Sequence, residues 1–284
     1  MKTLVSLSFL FTFLIANTMY GQSIQGIATY KTQRKMDIQL DSTQMDDAMQ
    51  AQIKAMMKKQ FEKEYTLQFT EEESVYKEVE KLDSPGGAVG GMVVQVEMIG
   101  SGSGDVLYKN LKEGRYTNQT ESFSKQFLIK DQREPREWNM EKETKNIGEY
   151  TCFKATHTYE RTVMSRVSSS VNGDDENKEE EKKETVTLTA WYTPQIPVKN
   201  GPSEYGGLPG LILEISDGDL SILCSKVVLN PKDGLDIKEP KGGKKVTQEE
   251  YDAIMEKKMK EMEEQYERSS RRNDGDHIEI RIGG

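Results

Sequence analysis

Tyr205-Gly206-Gly207-Leu208-Pro209-Gly210-Leu211-Ile212-Leu213-Glu214-Ile215 is the stretch from which the fold of this 284-residue chain is read. Pro209 presets φ at about −65° and Gly210 tolerates positive φ, so Leu208 to Leu211 reads as a type II turn. Gly206-Gly207 ahead of it permits a close backbone approach or a sharp bend. Leu211, Leu213 and Ile215 then alternate with Ile212 and Glu214, the period of two of a largely buried strand. Asp217-Gly218 is a hairpin signal, and Leu220 to Leu229 supplies a β-rich return strand. The hexapeptide Gly207, Leu208, Pro209, Gly210, Leu211, Ile212 is therefore expected to be a structural turn feeding a core hairpin. It carries no reactive group.

Upstream, the chain runs through another strand pair before reaching this turn. Glu149 to Arg161 places Tyr150, Cys152, Lys154 and Thr156 on one face, with Phe153 and Ala155 on the other; Thr185 to Tyr192 is its expected partner. Between them, residues 168–184 mix charges of both signs and lack apolar side chains over most of their length, which reads as a solvated hairpin extension or an unstructured tip. Trp191 and Tyr192 lead into Pro194, Pro197, Pro202 and Tyr205. The prolines stiffen that approach, so these six residues form a possible recognition edge. The plainer reading is that the two aromatics complete the core.

The remaining chain divides by periodicity. Ile24 to Asp37 alternates like an opening strand. Residues 41–64 change to helical spacing, with Met45, Met49, Ile53, Met56 and Phe61 on one face. Tyr65 to Thr70 and Ser74 to Val79 read as a strand pair. Asp83 to Gly104 is glycine-interrupted, with a short strand at Met92 to Ile99. Short alternating segments continue from Val106 to Asp131, and Trp138 is placed in a further strand. Thr247-Gln248-Glu249-Glu250 is a capping-box signature. It opens a second amphipathic helix over 247–268, whose face carries Tyr251, Met255, Met259, Met262 and Tyr266. His277 to Ile282 adds a final alternating segment. The expected fold is mainly β (α+β): a curved, largely antiparallel sheet or incomplete barrel with two amphipathic helices, forming one domain over 22–284.

The N-terminus bears on destination. Lys2 precedes an apolar run from Leu4 to Ala16 that is shorter than the ~20 residues of a membrane span, and Gly21 offers a small residue at a cleavage position. Residues 1–21 are thus expected to be a cleavable secretory signal, leaving no transmembrane segment in the mature chain. A formal net charge of −9 argues against nucleic acid, which requires a concentrated basic face. Cys152 and Cys224 are the only cysteines of the chain. In an oxidising compartment they are expected to form one disulfide, closing a loop worth roughly 4 kcal/mol in the chain-entropy description.

Catalytic chemistry finds little support. The sequence has two histidines, His157 and His277, and both are read as surface or packing residues. No serine lies in a nucleophile-elbow context. The expectation is a non-enzymatic protein with no cofactor; an uncharacterised hydrolase is a minor alternative. Methionines at one-face spacing (Met45 and Met49; Met255, Met259 and Met262) raise copper(I) binding as another alternative, since thioethers suit that ion. Core packing explains the same spacing.

The segment Ala190-Trp191-Tyr192-Thr193-Pro194-Gln195-Ile196-Pro197, with Asn200-Gly201-Pro202 and the hexapeptide, resembles the GLPGLI family of exported proteins from Gram-negative bacteria. Ile147 to Ala155 and Tyr108-Lys109-Asn110-Leu111 are also similar to that pattern, whereas the charged insertion after Arg161 departs from it. The resemblance implies an exported protein of uncharacterised function, with no agreed active site to carry over. Its expected body is loosely similar to the half-barrels of periplasmic lipoprotein carriers. The function expected is that of a non-catalytic cell-envelope protein, periplasmic or outer-membrane associated, that binds an envelope protein or an apolar ligand.

Overall fold

The computed structural model describes residues 24–34, 37–39, 51, 62–79, 88–89, 92–93, 105–171, 174–270 and 281–283. In chain order the elements are β1 (Gly26–Arg34), β2 (Asp37–Gln39), β3 (Glu64–Phe69), β4 (Glu73–Glu78), β5 (Ala88–Val89), β6 (Met92–Val93), β7 (Val106–Asn110) and β8 (Arg115–Ser122). They continue with β9 (Lys125–Gln132), β10 (Asn139–Ile147), β11 (Tyr150–Val171), β12 (Asp174–Thr193), β13 (Leu211–Ser216), β14 (Leu220–Leu229), β15 (Lys244–Val246), the helix α1 (Gln248–Ser270) and β16 (Arg281–Gly283).

Twelve strands form one sheet in the order β10, β11, β12, β13, β14, β1, β3, β4, β7, β8, β9, β15. Its two end strands do not pair with each other, so the sheet is open. Every pairing in it is antiparallel except that of β15 with β9. Two small ladders, β2 with β16 and β5 with β6, stand apart from it. The first strand holds the middle: β1 joins β14 on one side to β3 on the other.

The main core follows the period of two. Ala28 and Tyr30 of β1, Leu67 and Phe69 of β3, and Leu188, Ala190 and Tyr192 of β12 are buried in one cluster. The hairpin of β13 and β14 forms as the Asp217-Gly218 signal predicts. The Asp217 carboxylate accepts from the amides of Asp219 (3.0 Å) and Leu220 (2.7 Å), and Gly218 takes φ +97°. Of the charged segment, residues 168–171 and 174–184 continue the β11–β12 ladder, which pairs residue by residue out to Val171 opposite Asp174.

The capping box is present, with Thr247 Oγ1 accepting from the Glu250 amide at 3.2 Å and the Thr247 amide donating to Glu250 Oε2 at 3.0 Å. Tyr251 and Ile254 of α1 pack on a second, smaller cluster of Phe127, Ile129 and Val246. The methionine face is not wholly buried: Met259 and Met262 remain 50% and 41% exposed. The earlier helix expected over 41–64, with Met45 and Met49, lies outside the described residues except for helical Ala51 and residues 62–64, of which Glu64 already belongs to β3. Residues 1–21, expected to be a secretory signal, and His277 also lie outside them.

Three local expectations are corrected. Trp138 lies just ahead of β10 rather than within a strand. The Leu208–Leu211 turn is not type II: positive φ falls on Gly207 (+90°) and not on Gly210. The Gly210 amide instead donates to Leu208 O at 2.8 Å, closing a three-residue turn around Pro209, while the Leu211 amide goes to Ile196 O at 2.9 Å. Finally, Cys152 and Cys224 are not bridged. Both are buried free thiols, on β11 and β14 with β12 and β13 between them in the sheet. Desolvation pushes each thiol up to about 11, so little thiolate exists at neutral pH. Titrating denatured protein without reductant is expected to reveal two thiols, both slow to react in the native state; a count of zero would contradict the structure.

The connection from β14 to β15 is tied down by Glu239. Its Oε1 accepts from Thr117 Oγ1 (2.7 Å), Lys130 Nζ (2.7 Å) and Arg115 Nη1 (3.0 Å). Desolvation would raise this carboxyl, but the hydrogen bonds from Lys130, Thr117 and Arg115 outweigh it and hold the group down to about 2. A depressed acid contributes stability above its unfolded value, and that contribution is lost as pH falls through the folded value. Glu239→Gln should therefore lower stability at pH 7 by about 1 kcal/mol. The gap from the parent, read by urea unfolding, should close as pH falls from about 4.5 towards 2.

Candidate functional site: the clamped loop between β12 and β13

The chain between β12 and β13, residues 194–210, has almost no regular structure beyond a single bridge of Asn200 with Gly206. It is nevertheless densely bonded. The Val198 amide reaches Ile196 O at 2.8 Å around Pro197, repeating the three-residue turn seen around Pro209. The Gly207 amide donates to Lys199 O at 3.1 Å, and the Ile212 amide to Asn200 O at 3.0 Å. Gly210 is needed for proximity rather than for its φ: a Cβ there would lie 2.2 Å from Thr193 O.

Lys109, from β7, is the residue that organises the loop. Its side chain is 1% exposed, and its Nζ donates to three loop carbonyls: Gly201 O at 2.8 Å, Ser203 O at 2.6 Å and Tyr205 O at 3.3 Å. Along the sheet, β7 is five strand spacings from β13, roughly 24 Å if the sheet were flat. The loop thus brings its carbonyls to a strand remote from its own. Burial and the neighbouring Arg133 push the Lys109 ammonium well below its ordinary value, while Glu204 opposes them. Three acceptors call for three hydrogens, which only the ammonium form supplies.

Further donors hold the loop from the side. Trp138 Nε1 donates to Gly206 O at 3.0 Å, and the Arg136 guanidinium lies 4.9 Å from the centre of the Tyr205 ring. Tyr30, fully buried on β1, donates its hydroxyl to Ile212 O at 2.7 Å. Asn200 is itself buried; its Oδ1 accepts from the Gly201 amide at 2.9 Å, and its Nδ2 finds no partner among the described residues.

The predicted recognition residues divide between two environments. Tyr192 and Tyr205 are buried in the main core, Pro202 is buried, and Trp191 is half-buried with Lys145 Nζ 4.3 Å from its ring centre. Pro194 and Pro197 are exposed. Of the hexapeptide, Leu208, Leu211 and Ile212 are buried, and Gly207 and Pro209 face solvent. His157, whose Nδ1 lies 2.7 Å from Glu137 O, packs between Trp138 and Tyr159. Among the described residues no group of three or more His, Cys, Asp or Glu side chains is arranged to hold a metal ion.

Sequence reasoning did not find Lys109, Arg133, Arg136 or Tyr30. The sequence marked Lys109 only as part of the family-like segment Tyr108-Lys109-Asn110-Leu111; that Tyr108, Lys109 and Asn110 are all buried, as no single-faced strand would have them, is visible only in the structure.

The arrangement defines an open antiparallel β-sheet protein carrying one long, internally clamped loop. A family model described as a protein of unknown function (Porph_ging) matches residues 138–214, which span Trp138, β10 to β12, the loop and the start of β13. No curated protein matches the sequence. Among solved structures, PNGF-II in its C2 and P21 crystal forms is similar at 14% identity and a TM-score of 0.46. The alignment covers 82% of this chain and 33% of PNGF-II, so the chain spans about a third of that protein's length. Among the described residues no helix is long and apolar enough to cross a membrane.

Proposed function

We propose that the protein is an exported, non-catalytic binding protein of the cell envelope, and that the solvent side of the clamped loop recognises its partner. The observation that carries this reading is the Lys109 clamp. A loop whose carbonyls are gathered on a buried cation loses little further freedom when a partner docks, so the ordering cost of binding is already met. Pro194 and Pro197 then present fixed, exposed surface beside Gln195 and Lys199. The apolar run at residues 4–16, ahead of Gly21, supports export. The GLPGLI resemblance of the loop and its flanks agrees with an envelope location, and a half-barrel body would leave the loop at its rim.

A photo-crosslinking side chain placed at Pro197 in cells, with exposed Lys232 as the control position, tests the proposal. The expected result is a discrete adduct from position 197 alone, recovered in the exported fraction with the N-terminal segment removed. Adducts of equal yield from both positions, or retention of the unprocessed chain in the cytoplasm, would overturn it.

A further inference from the structure

The β8–β9 hairpin turns through Phe123 and Ser124 at φ +52° and +57°. Two successive left-handed residues are what a type I′ turn requires, and asparagine and glycine serve it best. A bulky aromatic residue there is a backbone outlier. Its side chain is 36% exposed, so burial does not repay the strain. The turn instead brings Phe123 to the wall of an open groove of about 410 Å³, between the hairpin and α1. That volume falls within the roughly 300–1,000 Å³ typical of small-ligand pockets.

The chemistry of the groove has two parts. Phe123, Phe127, Ile254 and Met262 supply an apolar wall, with Met262 41% exposed. Lys125, Lys244 and Lys258 supply cations against the single carboxylate of Glu261, and Glu261 is already paired with Lys258 at 2.5 Å. Lys125 and Lys244 are exposed and have no ion-pair partner among the described residues. An occupant that satisfies both parts has an apolar chain and an anionic end.

From this juxtaposition the geometry points to a binding site for a free single-chain anionic amphiphile of the long-chain carboxylate class. Its chain would lie against Phe123, Phe127, Ile254 and Met262, with its carboxylate at Lys125 and Lys244. The site is separate from the clamped loop and does not depend on the function proposed for it.

Calorimetric titration of the mature chain with monomeric laurate, below its micelle concentration, tests the assignment, with dodecanol and dodecyltrimethylammonium as comparison ligands. Laurate is expected to bind at one site and at least tenfold more tightly than either. Phe123→Asn removes the aromatic wall while giving the turn a residue suited to its φ. That variant should melt no lower than the parent and bind laurate at least tenfold more weakly. Lys125→Glu combined with Lys244→Glu should abolish laurate binding and favour dodecyltrimethylammonium. The proposal falls if laurate does not bind, or if Phe123→Asn binds it as the parent does. It also falls if the chain sediments with anionic vesicles yet ignores monomeric laurate, or if it forms a dimer that Phe123→Asn dissolves, which would give the groove to a bilayer or to a second copy.

Discussion

Gly210→Ala is expected to cost more than about 4 kcal/mol and to leave little folded protein at 37 °C, a loss at the extreme of single substitutions. The added Cβ would lie 2.2 Å from Thr193 O, 2.6 Å from Thr193 C and 2.9 Å from Pro194 N. All three are backbone atoms, so no side-chain rotation relieves the overlap. Relief would require moving the end of β12 away from the start of β13, where Thr193 pairs with Leu211 and the Leu211 amide bonds Ile196 O. Gly148→Asn is the matched control. Gly148 has φ +59° with open space around its Cβ position, and asparagine tolerates that conformation. Soluble yield and the urea midpoint should collapse for the first variant and change by under about 1 kcal/mol for the second. Equal midpoints would show that the close approach at Gly210 is not a constraint.

Lys109→Met should be nearly as damaging, at roughly 3–5 kcal/mol. Methionine keeps much of the side chain's volume but offers no hydrogens, so the carbonyls of Gly201, Ser203 and Tyr205 lose their shared donor in a site closed to water. An orphaned buried acceptor costs about 1–3 kcal/mol. Lys112→Met gives the comparison. That lysine is paired with Glu72 at 2.9 Å but is 69% exposed, and its loss should leave the urea midpoint almost unmoved. Hydrogen exchange supplies a second readout. In Lys109→Met the amides of Tyr205, Gly207 and Ile212 should exchange far faster, while those of the remote β8–β9 ladder change only with global stability. Unchanged protection in the loop would show that the ammonium is not its clamp.

These two residues mark the boundary of what the sequence makes legible. Local chemistry is readable: Asp217-Gly218 turns its own neighbours, and Thr247 with Glu250 caps its own helix. The strand pair expected at Tyr65 to Thr70 and Ser74 to Val79, found as β3 and β4, and the alternation in β11 and β12 follow from spacing alone. Gly210 was correctly singled out but for the wrong reason, because what it must avoid is Thr193 O, on the far side of the loop. Lys109 drew notice only within the family-like segment Tyr108-Lys109-Asn110-Leu111, and its three acceptors lie 92 to 96 residues further along the chain. The unformed Cys152–Cys224 bridge has the same origin. Both cysteines are legible as strand residues, but the two strands that separate them in the sheet are a property of the order of pairing. Of the six recognition residues, the burial of Tyr192, Pro202 and Tyr205 was the part hidden from view, since proline and tyrosine serve equally as exposed edge and as loop filler.

The central place of β1 has a temporal consequence. Synthesised from the N-terminus, the chain can zip β1 to β3 early, but the other side of β1 must wait for β14, the last long strand to emerge. Until then Ala28 and Tyr30 lack half their neighbours and the Ile212 carbonyl is missing from Tyr30. Pairing at such separation makes folding slow, in the millisecond-to-second range or beyond. The two parts of the sheet, β10 to β14 and β1 to β15, therefore stay apart until that last seam is complete.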